Sequence, residues 1–252
     1  MTNTTTSSAP PRTPTLDRPT AMRLAAGEYE RFTAMLRSLA PEDWRGPTDC
    51  PGWDVRAMAG HTLGMAEMAA SILESRRQMK AAKDRGGGID ALTAVQVDKH
   101  RDRTAAEIVA RMELAGPKAA RSRRRTPGFI RRRSMPERQI VDGVEEEWTF
   151  GFLIDVILTR DPWMHRVDIS RAVGHDDMQL SADHDCVLVA DVVAEWASRH
   201  GQPYTLRLTG PAGGRWSDGS GGPELELDAV EFCRLVSGRG RGDGLLGVQV
   251  PF

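Results

Sequence analysis

The chain has 252 residues, enough for one large domain or two small ones with a sizeable core. Its 34 Lys and Arg residues nearly balance its 35 Asp and Glu residues, so the overall charge does not demand a polyanionic partner. Three scattered cysteines, Cys50, Cys186 and Cys233, are too few for a disulfide framework or a cysteine-rich zinc module.

The N-terminal segment is polar and rich in Pro, Thr and Ser, which predicts a disordered tail over residues 1–17. It lacks the basic start and apolar stretch of a signal peptide. No apolar run in the sequence approaches the length of a membrane span. We therefore expect a cytoplasmic protein without a membrane partner.

Four helical segments are predicted after the tail, because apolar residues recur every three or four positions. Asp54 is a suitable N-cap for the second helix, a run of glycines ends it, and Gly174 is a suitable C-cap for the fourth. The predicted segments are 19–39, 55–83, 89–114 and roughly 148–173.

An arginine-rich segment separates the third and fourth predicted helices. Eight arginines lie between positions 121 and 138, interrupted by two prolines and a glycine, which predicts a solvated, mobile loop over about residues 116–140. The alternative is a nucleic-acid clamp that grips phosphates. One aromatic residue, Phe129, accompanies these arginines, and four acidic residues follow within "DGVEEEW", so nucleic acid is an unfavoured partner.

The pattern changes after Gly174. A capped helix is predicted within 181–201, and "YTLRLTG" alternates Tyr204, Leu206 and Leu208 as a half-buried strand does. Two short strands, a closing helix and a last extended piece follow. Helices first and mixed elements afterwards indicate two domains, 18–175 and 176–252, and an α+β protein overall.

Polar residues occupy positions that helical spacing assigns to the core. His61 shares a face with methionines in the second helix, and Asp161, His165 and Asp168 fall on the buried seam of the fourth. Burying such groups costs several kcal/mol unless they are paired or ligated. Two histidines and a carboxylate suit a divalent transition ion held between two helices.

Each of these residues also has a structural explanation. A single histidine on an apolar helix face is usually a core residue with satisfied hydrogen bonds. Asp161 precedes Pro162 and is a good N-cap for a helix that restarts there. Asp168 can pair with Arg166, with Arg171 or with a backbone donor.

Three segments resemble one enzyme family. "CPGWDVRAMAGH" resembles the first metal-ligand helix of the mycothiol-dependent maleylpyruvate isomerases, within the DinB-like superfamily of four-helix bundles. "DPWMHRVDISRAVG" resembles the second ligand segment of that family, and "EFCRLVSGRG" the end of its C-terminal domain. The resemblance implies a DinB-like four-helix metal-binding bundle over 18–175 and a smaller α+β domain over 176–252.

The resemblance also implies the site. The metal ligands would be His61, Asp161 and His165, with Asp161 standing where the family usually has a longer Glu. Zinc would be the metal and mycothiol the thiol cosubstrate. Arg239 or Arg234 would be the catalytic arginine that the family has in its C-terminal domain. The imidazole of a ligand would be oriented by Asp168 through its other N–H.

The chemistry implied is that of a thiol activated by a divalent ion, whose charge lowers the thiol pKa. Such a thiolate adds reversibly to a small, anionic electrophile or displaces a leaving group, which makes the protein an isomerase or an S-transferase. One alternative is a catalytically silent metal-binding protein of the same fold, a sensor or binding module. Another is a non-haem iron oxygenase, which the helical placement disfavours. Both a monomer and a homodimer remain open.

Overall fold

The computed structural model describes residues 10–174 and 178–252, which form a bundle of long helices and a smaller unit built on a three-stranded sheet. This confirms the predicted α+β class. The helices are α1 (Arg18–Ser38), α2 (Val55–Ala70), α3 (Ile72–Asp84), α4 (Gly88–His100), α5 (Ala105–Arg125), α6 (Gly128–Arg131), α7 (Phe150–Phe152), α8 (Leu158–Ala172), α9 (Asp185–His200) and α10 (Ala229–Val236). The strands are β1 (Gln139–Val141), β2 (Val144–Glu146), β3 (Tyr204–Thr209), β4 (Gly214–Asp218) and β5 (Glu224–Asp228).

The bundle consists of α1, α2, α5 and α8. Their apolar faces meet in one buried core to which each helix contributes, for example through Phe32, Met58, Ile108 and Ile169. Helices α3 and α4 form a hairpin that packs on α2. Gly64 permits this close approach, because a Cβ there would lie 2.7 Å from the Gln96 side chain.

Three of the four predicted helices are divided, and segment 148–173 consists of α7, a π-helical turn over Leu153–Ile157 and α8. Segment 55–83 breaks at Ser71, whose extended backbone ends α2 and whose hydroxyl accepts from Glu74 N to begin α3. Segment 89–114 breaks before Thr104, which forms a reciprocal capping box with Glu107. These caps satisfy backbone groups that a continuous helix would pair internally.

The prediction of a solvated loop over 116–140 is wrong. Helix α5 continues to Arg125, α6 follows, and β1 pairs with β2 through a turn in which Asp142 and Gly143 have positive φ. Arg123 and Arg131 are buried and donate hydrogen bonds to backbone carbonyls, Arg123 to Ile154 O and Arg131 to Arg123 O. These two arginines therefore hold the segment against the bundle, whereas the other six arginines between positions 121 and 138 are exposed.

The predicted disordered tail, residues 1–17, falls partly outside the described residues, which begin at position 10. From there the prediction is wrong, because the chain lies against the rest of the protein. Arg12 N donates to Glu147 O at 2.7 Å, and Thr15 Oγ1 donates to Asp191 at 2.6 Å. Asp17 is the N-cap of α1.

The smaller unit has the predicted helix, strands and closing helix. Strand β3 lies between β4, to which it is antiparallel, and β5, to which it is parallel. Its alternate residues Tyr204, Leu206 and Leu208 are buried against α9 and α10, which confirms the alternation. The predicted domain boundary, between residues 175 and 176, lies outside the described residues.

Helix α8 connects the two units and is buried from both sides. Ile169 belongs to the core of the bundle, whereas Trp163 and Val167 belong to the core of the α+β unit. Buried ion pairs fix the helix further, since Arg160 pairs with α9 and Arg166 pairs with Glu28 of α1. None of the helices in the described part of the chain is both long and apolar enough to cross a membrane.

Candidate metal centre

Helices α2 and α8 bring His61, Asp161 and His165 together. Asp161 Oδ2 lies 3.5 Å from His61 Nε2 and 3.5 Å from His165 Nε2. One nitrogen or oxygen atom from each residue lies within 4.8 Å of the others. Both histidines are buried, and Asp161 is partly buried.

The local sequence explains this convergence. The Asp54 carboxylate accepts from Ala57 N at 2.8 Å and caps α2, which fixes the start of the helix that carries His61. Asp161 and His165 are four residues apart on α8 and share one face. Helix α8 begins at Leu158, so the alternative in which Asp161 caps a helix restarting at Pro162 is wrong.

Burial and neighbouring charges shift the pKa values of Asp161 and His165 in opposite directions. Burial raises the pKa of Asp161, but the His165 and His61 imidazoles outweigh burial and hold that pKa far below its usual range. Burial lowers the pKa of His165, whereas Asp161 and Asp168 raise it, with a net result of about 9. Asp161 is therefore an anion at neutral pH, and a cation is favoured beside it.

These three residues fit a divalent transition ion. Ligand atoms about 2.0–2.2 Å from a tetrahedral zinc ion lie roughly 3.3–3.6 Å from one another, which matches the 3.5 Å separations. Among the described residues, buried Asp161 Oδ2 has no hydrogen-bond partner. Two imidazoles and one carboxylate also leave room in the coordination shell for a water molecule or a substrate atom.

Asp168 lies behind His165. It is fully buried, and its Oδ2 is 3.1 Å from His165 Nδ1. The protonated imidazole donates Nδ1–H to this carboxylate, and an ion that displaced the Nε2 proton would find the Nε2 lone pair facing Asp161. In the alternative explanation Asp168 pairs with Arg166 or Arg171, but those arginines pair with Glu28 and with Asp49 instead.

The two candidate catalytic arginines occupy different positions. Arg239 donates from Nε at 2.7 Å and from Nη2 at 2.9 Å to Asp168, so it is connected to His165 through one carboxylate. Arg234 donates from Nη2 to Asp49 and from Nη1 to Glu231. The structure therefore brings Arg239, and not Arg234, next to the metal-ligand candidates.

Two residues near the site were not predicted to belong to it. The Trp53 ring centroid lies 5.2 Å from that of His61 and 6.1 Å from that of His165, so the indole forms an aromatic wall. Cys50 Sγ lies 3.9 Å from Asp168 Oδ2 and from Arg239 Nη2. Burial and Asp168 raise the pKa of the Cys50 thiol to about 11, so it stays protonated at neutral pH. Trp53 and Cys50 both lie in the turn just before α2, and this position is the sequence feature that could have predicted their place at the site.

A second group of possible ligand atoms comprises Cys50, His165 and Asp168. It is less suited to a cation, because the Arg239 guanidinium already neutralises Asp168 through two hydrogen bonds. The group around Asp161 has no such cation from Lys or Arg in the described part of the chain.

Comparisons with known proteins place this geometry in context. The family model described as "Mycothiol maleylpyruvate isomerase N-terminal domain" matches residues 25–170, which include all three ligand candidates. A search of curated proteins finds no sequence that matches this chain.

Two solved structures are similar to the whole chain. One is the crystal structure of the mycothiol-dependent maleylpyruvate isomerase, with a TM-score of 0.54 and 14% sequence identity, covering 91% of this chain and 92% of the other. The second is a histidine-to-alanine mutant of the mycothiol-dependent maleylpyruvate isomerase, with a TM-score of 0.53 and 13% identity, covering 89% and 90%. At these identities the similarity establishes the fold.

Proposed function

The chain belongs to the mycothiol maleylpyruvate isomerase family, and we propose from this membership that it is a metal- and thiol-dependent isomerase or S-transferase. Family and structural neighbours point to an isomerase-like function that depends on mycothiol. The observation that carries the proposal is the convergence of His61, Asp161 and His165, in which Asp161 Oδ2 lies 3.5 Å from Nε2 of each histidine. The substrate class is a small anionic electrophile.

In this proposal His61, Asp161 and His165 hold a divalent ion, most favourably zinc. When bound, such an ion supplies positive charge that lowers the pKa of a coordinated thiol, so that thiolate is present at neutral pH. The protein's own cysteines are not the nucleophile, in keeping with the raised pKa of Cys50. The thiol of mycothiol therefore forms the bond to the electrophile.

The remaining residues position groups. Asp168 accepts from His165 Nδ1 and keeps Nε2 directed at the ion. Arg239 keeps Asp168 ionised, and its Nη1 has no hydrogen-bond partner among the described residues, so it is available to an anionic substrate. Arg234, engaged by Asp49 and Glu231, is assigned a structural role instead.

The proposal also covers the division of the chain into two domains and the compartment in which the protein works. We assign the metal site to a domain over 18–175 and Arg239 to a domain over 176–252, so that catalysis needs both. The three cysteines carry free thiols, which suits a reducing, cytoplasmic compartment. A small-molecule thiol and electrophile are the proposed partners, for a monomer or a homodimer.

Assays of substrate isomerisation and of thiol consumption test the function. Zinc-loaded protein with mycothiol is expected to isomerise maleylpyruvate without net loss of thiol, or to consume mycothiol when the electrophile is a chloro-aromatic compound that loses chloride. Either rate should fall at least about 100-fold when a chelator removes the ion. Isomerisation regenerates the thiol and S-transfer does not, so product analysis distinguishes the two reactions. Glutathione in place of mycothiol is the control for thiol specificity.

The alternative functions predict other results. A protein that binds zinc tightly, yet turns over none of these electrophiles, would be a sensor or binding module rather than an enzyme. Oxygen consumption that depends on added iron would indicate an oxygenase. Of the eight arginines in the arginine-rich segment, Arg123 and Arg131 are buried and engaged with the protein backbone, which leaves six exposed. Salt-dependent binding of DNA or RNA would indicate a nucleic-acid clamp.

A further inference from the structure

The helix that carries Asp161 and His165 begins with an irregular junction. Residues Leu153–Ile157 form a π-helical turn, in which Leu158 N–H donates to Leu153 O, five residues back. This bond deprives Ile154 O of its usual donor four residues ahead. Four residues after Leu158, Pro162 has no N–H, so Leu158 O also lacks its helical donor.

A single arginine from another helix compensates for both irregularities. Arg123, near the end of α5, donates from Nε and Nη2 to Ile154 O at 2.9 and 2.5 Å. Its Nη1 donates to Leu158 O at 2.9 Å. Its Nη2 also donates to Thr159 Oγ1 at 2.5 Å, and its Nη1 to Tyr29 Oη at 3.3 Å. The fork of the guanidinium thus spans the junction.

The environment of Arg123 is unusual for a buried cation. Its residue surface is 2% exposed, yet no carboxylate among the described residues pairs with it. The nearby Asp155 pairs with Arg131 instead. The charge is held by carbonyl and hydroxyl oxygens and by the face of the Tyr29 ring, 5.7 Å from its guanidinium carbon. A guanidinium is suited to such a place because its five N–H donors are fixed in one plane.

We propose that Arg123 is a positioning residue for the metal site, which sets the rotation of α8 about its axis and thereby directs Asp161 and His165 at His61 on α2. Each residue advances a helix by about 100°, so the single residue accommodated in a π-turn decides which face the following residues occupy. Arg123 binds Ile154 O within the π-turn and Leu158 O directly after it, so it fixes both ends of the junction. It does so through Ile154 O, Leu158 O and the Thr159 hydroxyl, and none of its hydrogen bonds is to the three ligand candidates.

This role depends on the proposed function, since it assumes that Asp161 binds the ion. It predicts that Arg123→Met weakens Co²⁺ and Zn²⁺ affinity by about 10–100-fold, the loss typical when support behind a metal ligand is removed. The visible absorption of the Co²⁺ form should change as well, because Asp161 is displaced in the coordination shell. Arg123→Lys should give an intermediate loss, since a single ammonium cannot span both carbonyls.

A matched control separates positioning from stability. Met112→Ala lies on the same helix and removes a fully buried side chain of the bundle core, so it also destabilises the fold. Its metal affinity and Co²⁺ spectrum should equal those of the wild type. Pro162→Ala restores an N–H for Leu158 O, so the affinity loss caused by Arg123→Met should be smaller in that background.

The outcomes are distinguishable. If Arg123→Met binds Co²⁺ with the same affinity and spectrum as Met112→Ala, Arg123 has no positioning role. The inference is then overturned, while the metal site stands. Arg123→Lys takes the place of Arg123→Met if the latter does not fold. An equal loss in the Pro162→Ala background would also overturn it. Wild-type protein that binds neither Co²⁺ nor Zn²⁺ would overturn the proposed function and this inference together.

Discussion

Replacing His61 by alanine is expected to weaken zinc affinity by more than about 100-fold. Removing a residue that only hydrogen-bonds to a metal ligand already weakens affinity by about 10–100-fold, and His61 is proposed as a ligand itself. His61 is the one ligand candidate on α2, and Asp161 and His165 both lie on α8. Without it, the remaining two residues cannot hold an ion between the helices. Activity should therefore disappear together with the metal, as measured by zinc titration with a competing chelator and by the isomerisation and thiol-consumption assays.

His100→Ala is the matched control for this experiment. His100 is also a buried histidine, but it lies on α4, outside the four helices of the bundle, with Nε2 3.3 Å from Glu67. Its removal should lower stability and leave zinc affinity unchanged. Wild-type zinc affinity in His61→Ala would contradict the assignment of His61 as a ligand.

Asp168→Asn is expected to have the second largest effect. Asp168 joins the His165 imidazole to the Arg239 guanidinium, so its charge stabilises both. We expect zinc affinity to fall about 10–100-fold because the imidazole loses its charged acceptor. The free energy of unfolding should fall by about 3–5 kcal/mol, because a largely buried Arg239 loses its carboxylate.

The pH dependence of stability provides an independent readout. Burial raises the pKa of Asp168, but hydrogen bonds from His165 and Arg239 hold it below its usual range. The folded pKa is thus lower than the value of about 3.9 in an unfolded chain, so the stabilisation is complete above that pH and is lost as pH falls below it. Denaturant unfolding at pH 7 and pH 3 should show a smaller acid loss in Asp168→Asn than in the wild type.

Asp185→Asn is a suitable comparison, because Asp185 is another fully buried carboxylate and pairs with Arg166 rather than with a ligand imidazole. It should lower stability comparably without lowering zinc affinity as far. Equal zinc affinities for wild type and Asp168→Asn would show that Asp168 has only a structural role.

Local periodicity was sufficient to predict much of the candidate site. His61 and the Asp161–His165 pair each interrupt an apolar helix face, and helical spacing alone places them toward a shared core. The strand at Tyr204 was predictable because its alternate residues are apolar. In each case the signal is contained in a few neighbouring residues.

Some errors came from local signals that were present but not used. Thr104 and Glu107 form a capping box, and the Asp142–Gly143 pair is typical of a tight hairpin turn. Both stand in charged segments, where composition indicated a surface helix or a loop. A pairwise signal of this kind is more informative than the composition around it.

Other features could not be read from local sequence. The burial of Arg123 depends on carbonyls that become available 31 and 35 residues later in the chain, at a π-turn and before a proline. Asp168 finds its cation 71 residues away, in Arg239. Long-range partners of polar groups are fixed by tertiary packing, and one sequence does not specify them by periodicity or composition.

The most direct test of the central claim is the metal content of the protein purified without added metal and without a metal-binding affinity tag. Elemental analysis should find about one zinc ion per chain in the wild type, as expected for a three-ligand site, and close to none in His165→Ala prepared in parallel. Absence of metal from the wild type, even after reconstitution with zinc, would mean that internal hydrogen bonds hold His61, Asp161 and His165 together. The proposed metal- and thiol-dependent function would then be wrong.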